Sequence, residues 1–129
     1  LGEIARVLAP EGAFVVSTLN LDYNRKNPSY EKPSFHEKEF IAPELKTLLE
    51  GTFPRVELYG LYPGRRYRVF RRLKKWGVHR WRLWHGTNPV ERFFKEELST
   101  KHHVLRHRCD RQAIDLIAVC RLSARGESG

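Results

Sequence analysis

The sequence is poor in cysteine and has no long apolar run. Cys109 and Cys120 are the only two cysteines, too few for a disulfide framework, so we expect both thiols to be reduced. No apolar stretch approaches the roughly 20 residues that a membrane-spanning helix needs, and no combination of charged start, apolar stretch and cleavage site marks a signal peptide. These absences exclude a disulfide scaffold and favour a soluble protein of the cytoplasm.

The composition fits one folded domain with a basic surface. The 129 residues are 40% hydrophobic and 12% aromatic, enough apolar surface to offset the chain entropy lost on folding. The net charge of +9 suits a polyanion or an anionic membrane surface as partner. Because the chain starts at Leu1 and enters a helical pattern at once, we expect the parent protein to begin further upstream.

The most informative pattern is the stretch EIARVLAPEGAFVVSTLN near the start of the chain. Apolar residues at helical spacing predict a helix over 2–9, which Pro10 prevents from continuing. The run AFVVST at 13–18 is apolar and β-branched without polar alternation, and this predicts a central, parallel strand covered on both faces. After Asn20 the sequence is polar, so we expect a surface loop up to residue 34.

The rest of the chain alternates helical and strand patterns. Leucines at helical spacing after Pro43 predict a second helix, which ends at Gly51. The basic and aromatic segment 65–84 is predicted to begin as a helix and to break near Gly77, and Asn88 is expected to cap a further helix. Two more strands are predicted at 53–60 and 113–122, with a disordered tail at 123–129.

This order of elements resembles the carboxy-terminal half of class I S-adenosylmethionine-dependent methyltransferases. The first stretch is similar to that family's E-x-x-R-V-L-x-P-G-G-x-x-x-x-S-T-P-N. The stretch FHEKEFIAPELKTLLEGTFPRVELYG is similar to its following H-x-x-E-F-T-x-E-E-L-x-x-L-L segment and sixth strand. The resemblance implies an α/β fold, a partial Rossmann-like methyltransferase sheet with the family's fifth and sixth strands. DLIAVCR would be the seventh strand, antiparallel to both neighbours and lying between them.

The resemblance implies a domain over 1–122 and leaves one segment uncovered. Residues 65–112 form a basic, aromatic and helical insertion between the last two strands of the family pattern. The chain departs from that pattern at Ile41, which replaces a threonine that would cap the second helix. We therefore expect this helix to begin without a side-chain cap, at a cost of about 0.5–2 kcal/mol.

The resemblance also implies an activity, methyl transfer from S-adenosylmethionine to a small-molecule, sugar or lipid-linked acceptor. Asn20, Tyr23 and Tyr30 would bind the acceptor, and His36 would remove its proton as the catalytic base. Each also has a structural interpretation, as a turn, packing or backbone-bonded loop residue. The family's Gly-rich turn and ribose-binding acidic residue do not occur in the sequence. We therefore expect the donor site in an N-terminal half outside it, and the cofactor-binding residues stay unknown.

The basic segment 65–84 carries the main alternative. It suits a lid over the acceptor, an interfacial helix on anionic lipid, or a surface for nucleic acid, and the lid is favoured because charge runs usually form a solvated face. A second class of function stays open, a non-catalytic basic module that binds nucleic acid or an anionic membrane surface. The strand at 13–18 would have a free edge, which predicts self-association.

A group of histidines near the end of the chain suggests metal binding at first sight. No Cys-x-x-Cys or second ligand pair of the usual spacing accompanies them, so no metal site is predicted. Arginines alternate with these residues, and we expect the histidines on the basic surface. The group consists of His102, His103, His107 and Cys109.

Overall fold

The computed structural model describes residues 1–32, 34, 38–80 and 88–122. They form two compact units. The sheet unit consists of Leu1–Tyr62 and the chain from Leu105 onward, and the insertion unit consists of Pro63–Val104. The predicted base His36 and the predicted disordered tail at 123–129 lie outside the described residues.

Within the described ranges, four strands form one sheet in the order β1-β4-β2-β3, which is antiparallel in the β1–β4 and β4–β2 pairs. The last strand in sequence, β4, pairs antiparallel with both of its neighbours: Ala118 lies opposite Val16 on one side and Leu58 on the other. As a result, β1 and β2 run in the same direction. This confirms the α/β class and the prediction that the last strand lies reversed between the other two. The strands are β1 (Phe14–Leu19), β2 (Arg55–Pro63), β3 (His103–Arg106) and β4 (Asp115–Arg121).

Two helices cover one face of this sheet, α1 (Gly2–Val7) and α3 (Ala42–Glu50). Helix α3 has Pro43 in its first turn and no side-chain cap from Ile41, as predicted. The two helices and the strands share one buried apolar cluster, in which Phe14 stacks on Phe53 with ring centroids 5.7 Å apart. The fully enclosed members of the cluster are Leu45, Leu49, Phe53, Leu116, Ala118 and Cys120.

The prediction of a central strand covered on both faces at 13–18 is wrong for this chain. Strand β1 stands at the end of the sheet, and within the described ranges its only strand partner is the antiparallel β4. Successive side chains of a strand point to opposite faces. Phe14 and Val16 therefore pack against the helices, whereas Val15 on the other face is 59% exposed.

Two short elements were not predicted. The polar stretch after β1 contains helix α2 (Leu21–Asn24), which forms because the Asn20 side chain caps it by accepting a hydrogen bond from the backbone of Asp22. The second is the four-residue strand β3, which lies within the segment 65–112 that was predicted as a helical insertion. A strand of this length with mostly exposed side chains has too weak an alternation to be recognised from sequence.

The insertion unit follows the predicted helical pattern. Helix α4 (Arg65–Lys75) ends next to Gly77, whose φ of 76° is a backbone conformation that glycine adopts most readily. Helix α5 (Pro89–Arg92) is capped by Asn88, as predicted, and continues as a π-helical turn over Phe93–Glu97. Short 3-10 turns cover Val78–Arg80 and Thr100–His102.

Candidate functional site

The carboxyl end of β1 is held in place by the side chain of Asn20, which is only 2% exposed. Its amide nitrogen donates hydrogen bonds of 2.9 Å to the carbonyl oxygens of Asp110 and Ala113, which lie in the turn before β4. Asn20 also forms a parallel β-bridge with Phe40, in the segment before α3, where the backbone N–H of Leu21 donates to the carbonyl oxygen of Phe40 at 3.0 Å. Asn20 therefore joins three segments at the sheet edge where α/β proteins bind ligands.

A phenol and a carboxylate meet beside this junction. The hydroxyl of Tyr30 donates a hydrogen bond to Oε1 of Glu39. Glu39 is only 6% exposed and stands immediately before Phe40. A buried carboxylate is stable only when polar groups compensate for its lost hydration, and Tyr30 supplies one such group.

This pairing shifts the pKa of Tyr30. The hydrogen bond to the Glu39 carboxylate raises the pKa of Tyr30 above its ordinary value, and partial burial and the negative charge of Glu39 act in the same direction. The side chain of Asn24 opposes them as the smallest of the four effects. Tyr30 is therefore protonated at neutral pH, and its hydroxyl acts as a hydrogen-bond donor.

The turn before β4 adds an anionic group to the same end of the sheet. Asp110 accepts a hydrogen bond of 2.8 Å from the backbone of Gln112. This bond lowers the pKa of the Asp110 carboxyl, and the nearby charge of Arg108 contributes to the shift. The hydroxyl of Tyr62, at the end of β2, donates to the carbonyl oxygen of Arg108 at 2.9 Å. Asp110 therefore stays ionised well into the acid range.

The structure brings together only some of the residues that the sequence singled out. Asn20 and Tyr30 both lie next to the segment that contains Glu39 and Phe40. Tyr23 lies on α2 beneath the ammonium group of Lys26, which is 5.3 Å from the ring centroid. The side-chain amide of Asn20 already makes three internal hydrogen bonds, so the role of Asn20 here is structural. Contact of Asn20, Tyr23 or Tyr30 with an acceptor stays a prediction.

Sequence reasoning missed Glu39 and Asp110. Glu39 stands three residues before α3, which begins at Ala42, and the burial of this carboxylate depends on Tyr30, nine positions away. For Asp110 a local signal exists, because aspartate commonly accepts a hydrogen bond from the backbone two residues later in turns. Its proximity to Asn20 could not be read from the sequence.

The histidine group does not form a ligand set. No group of three histidine, cysteine, aspartate or glutamate side chains suited to a metal ion exists in the described ranges. The expectation that the histidines lie on the surface is wrong for His102, which is buried against Phe93 with ring centroids 5.1 Å apart. Its Nδ1 accepts a hydrogen bond from the backbone of Ser99, so His102 stabilises the turn before β3.

Comparison with protein-family models, curated proteins and solved structures finds no match to this chain. Within the ranges that the structure describes, every helix is too short or too polar to cross a lipid bilayer. Three features of the molecule bear on its function: the arrangement of the strands, the polar cluster beside Asn20 and the charge of the insertion unit.

Proposed function

We propose that this chain is the acceptor-side part of an S-adenosylmethionine-dependent methyltransferase, which transfers a methyl group to a small-molecule, sugar or lipid-linked acceptor. The observation that carries the proposal is the position of β4, reversed between the parallel strands β1 and β2. This is the arrangement that the sequence resemblance implies for the family's fifth, seventh and sixth strands. Sequence and topology thus support the same proposal.

The order of the covering helices gives further support. Helix α1 precedes β1, and α3 connects β1 to β2 on the same side of the sheet. The carboxyl ends of β1 and β2 then lie at one edge, together with Asn20 and Tyr62. Open α/β sheets bind their ligands at this edge, which supports an acceptor site beside the Tyr30 and Glu39 pair.

The residues present do not fit a site for the methyl donor. The amide of Asn20 is occupied by backbone carbonyls, and β1 is followed by the capped helix α2 rather than by a Gly-rich turn. The chain's own contribution is therefore to bind and orient the acceptor. Tyr30 already donates its hydroxyl proton to Glu39, so it would contact the acceptor through its ring or its oxygen lone pairs, and Glu39 or His36 would accept the acceptor's proton. In this proposal the donor is held by polypeptide outside these 129 residues, and the protein works in the cytoplasm.

The proposal is tested by donor binding, which requires no knowledge of the acceptor. The 129-residue chain and the protein made from the complete reading frame that encodes it are titrated with S-adenosylmethionine in a calorimeter. We expect binding to the complete protein and none to the 129-residue chain. If neither protein binds the donor although both are folded, the proposal is wrong.

The role of His36 has its own test in the complete protein. We expect His36→Ala to keep donor binding and to lose transfer of the labelled methyl group to acceptors in a cell extract. His107→Ala is the matched control, because His107 is exposed and contacts the edge of Tyr59 in the sheet unit. Equal transfer by His36→Ala and the wild type would eliminate His36 as the base.

A further inference from the structure

The outward face of helix α4 is a ridge of four cations. The spacing of Arg65, Arg68, Arg72 and Lys75 is three, four and three residues, which keeps side chains on one side of a helix with 3.6 residues per turn. All four residues are exposed. The helix contains seven arginines and lysines and no acidic residue, so nothing within it neutralises this face.

Neighbouring elements do not neutralise the ridge either. Arg66, on the other side of the helix, pairs with Glu97 at 2.6 Å. In contrast, no acidic side chain among the described residues pairs with any member of the ridge. Four adjacent cations without counter-charges repel one another, and a phosphate chain would relieve this repulsion.

The position of Arg65 and Arg68 near the amino end disfavours a role in helix stability. Arg72 and Lys75, by contrast, lie in the last turn, where cations stabilise a helix. The first turn of α4 contains arginines and no acidic residue, and Gly64 provides no side-chain cap. The amino end of a helix carries partial positive charge, so cations there destabilise the helix. Arginines at the amino end weaken the helix, so Arg65 and Arg68 are better explained by binding than by folding.

The apolar face of α4 is already used inside the insertion unit. Phe70 stacks on the buried Phe93 with ring centroids 4.2 Å apart, and Tyr67 contacts the edge of Phe94 at 5.9 Å. An interfacial membrane helix must insert its apolar face among the lipids. Because these aromatic residues pack against α5 and the turn that follows it, this face is not available to a bilayer.

One large aromatic side chain lies at the end of the ridge. Trp76 follows the last residue of α4 and is 72% exposed. The helix stops there because Gly77 adopts a positive φ. An indole that stands in solvent beside arginines is suited to stacking on an unpaired base, whereas the bases of a duplex are already stacked on one another.

We propose that the outward face of α4 binds single-stranded nucleic acid, with Arg65, Arg68, Arg72 and Lys75 on successive phosphates and Trp76 stacked on a base. Guanidinium groups suit this role, because they bind phosphate oxygens through paired hydrogen bonds. This inference does not depend on methyl transfer. It makes the insertion unit a binding module in its own right.

The first test is the salt dependence of binding. The probe is a fluorescently labelled single-stranded RNA of about 12 nucleotides, comparable to the strand lengths that such sites cover. Binding to the 129-residue chain is followed by anisotropy between about 50 and 200 mM KCl, and four phosphate contacts predict a slope of log K against log salt of about −3. No binding at the lowest salt concentration would overturn the proposal.

Neutral variants locate the surface. Replacing Arg68 and Arg72 with glutamine should halve the slope and weaken binding by about tenfold or more at low salt. The matched control replaces the exposed Arg25 and Lys46 of the sheet unit with glutamine, which removes the same charge and should leave the slope unchanged. Equal effects of the two pairs would show that only net charge matters and would overturn the proposal.

The role of Trp76 is tested by fluorescence and by substitution. With Trp81 and Trp84 replaced by phenylalanine, the emission comes from Trp76 alone and should be quenched by the RNA. Trp76→Ala should weaken binding by about 5- to 100-fold, and Trp76→Phe should keep most of the affinity. Vesicles with anionic lipid serve as the competing partner. Tighter binding to these vesicles than to the RNA, with a blue shift of Trp76, would contradict the proposal.

Discussion

The amide nitrogen of Asn20 lies 2.9 Å from the carbonyl oxygen of Ala113, 93 positions further along the chain. This hydrogen bond and its partner to Asp110 fasten the end of β1 to the turn that starts β4. Asn20→Ala would leave one buried and one partly buried carbonyl without these donors, and we expect it to lower the free energy of unfolding by about 2–4 kcal/mol. Urea denaturation followed by circular dichroism measures the change.

Asn27 offers the matched control for this substitution. It is an exposed turn residue whose side chain also accepts a backbone hydrogen bond, from Ser29. Asn27→Ala should cost less than about 1 kcal/mol, because water replaces the lost partner. If Asn20→Ala is no more destabilising than Asn27→Ala, the structural role assigned to Asn20 is wrong.

The pairing of Tyr30 with Glu39 predicts coupling between two substitutions. Tyr30→Phe removes the hydrogen bond to a buried carboxylate and should lower the melting temperature by roughly 5 °C. Glu39→Gln removes the charge that this hydrogen bond compensates, so the double variant should be less destabilised than the sum of the single variants. Additive shifts in melting temperature would show that the two side chains do not interact.

The elements with strong local patterns could be predicted from the sequence. Pro10 and the apolar run after it locate β1, and the cap at Asn88 locates the start of α5, because these signals act within a few residues. The pattern at 113–122 also predicts β4 correctly. Its place between β1 and β2 was anticipated only through the resemblance to a family.

The polar cluster could be predicted only in part. Asn20 and Tyr30 were selected for their position after a strand, but their hydrogen-bond partners were not identified. The contact between Asn20 and Ala113 exists only after β4 has paired with β1, and the sequence contains no local signal for it. The exposure of Val15 was also missed, because an apolar residue in a strand has the same pattern whether or not its face is covered.

Close packing at Gly60 predicts a large effect of a small substitution. A Cβ atom at this position of β2 would lie 2.5 Å from the backbone oxygen of Arg108 and 2.8 Å from Ala113. A backbone atom cannot move aside cheaply, so Gly60→Ala should lower the free energy of unfolding by about 1–3 kcal/mol. Gly2→Ala is the control, since nothing lies within 4 Å of a Cβ atom added at Gly2. Equal stability of the two variants in urea would contradict close packing at Gly60.

The lowered pKa of Asp110 predicts a loss of stability in acid. Its carboxylate is bound by the backbone of Gln112 in the folded chain, whereas in the unfolded chain it titrates near its ordinary pKa of about 3.9. The stabilisation is therefore complete above about pH 4 and is lost as the pH falls through the lower folded-state pKa. Unfolding at several pH values between about 2 and 6 should show this loss in the wild type and a smaller one in Asp110→Asn. Identical pH profiles would refute the assignment.

The open edge of β1 predicts that the isolated chain associates with itself. Within the described ranges this edge has no strand partner, and the adjacent Val15 exposes apolar surface. A free edge can pair with the same edge of a second copy, and an inserted lysine opposes such pairing. We expect sedimentation velocity to detect dimers of the wild type and fewer of Ser17→Lys, whereas Leu48→Lys, at an exposed position of α3, should leave the dimer fraction unchanged. A wild-type chain that remains monomeric at all concentrations would refute edge pairing.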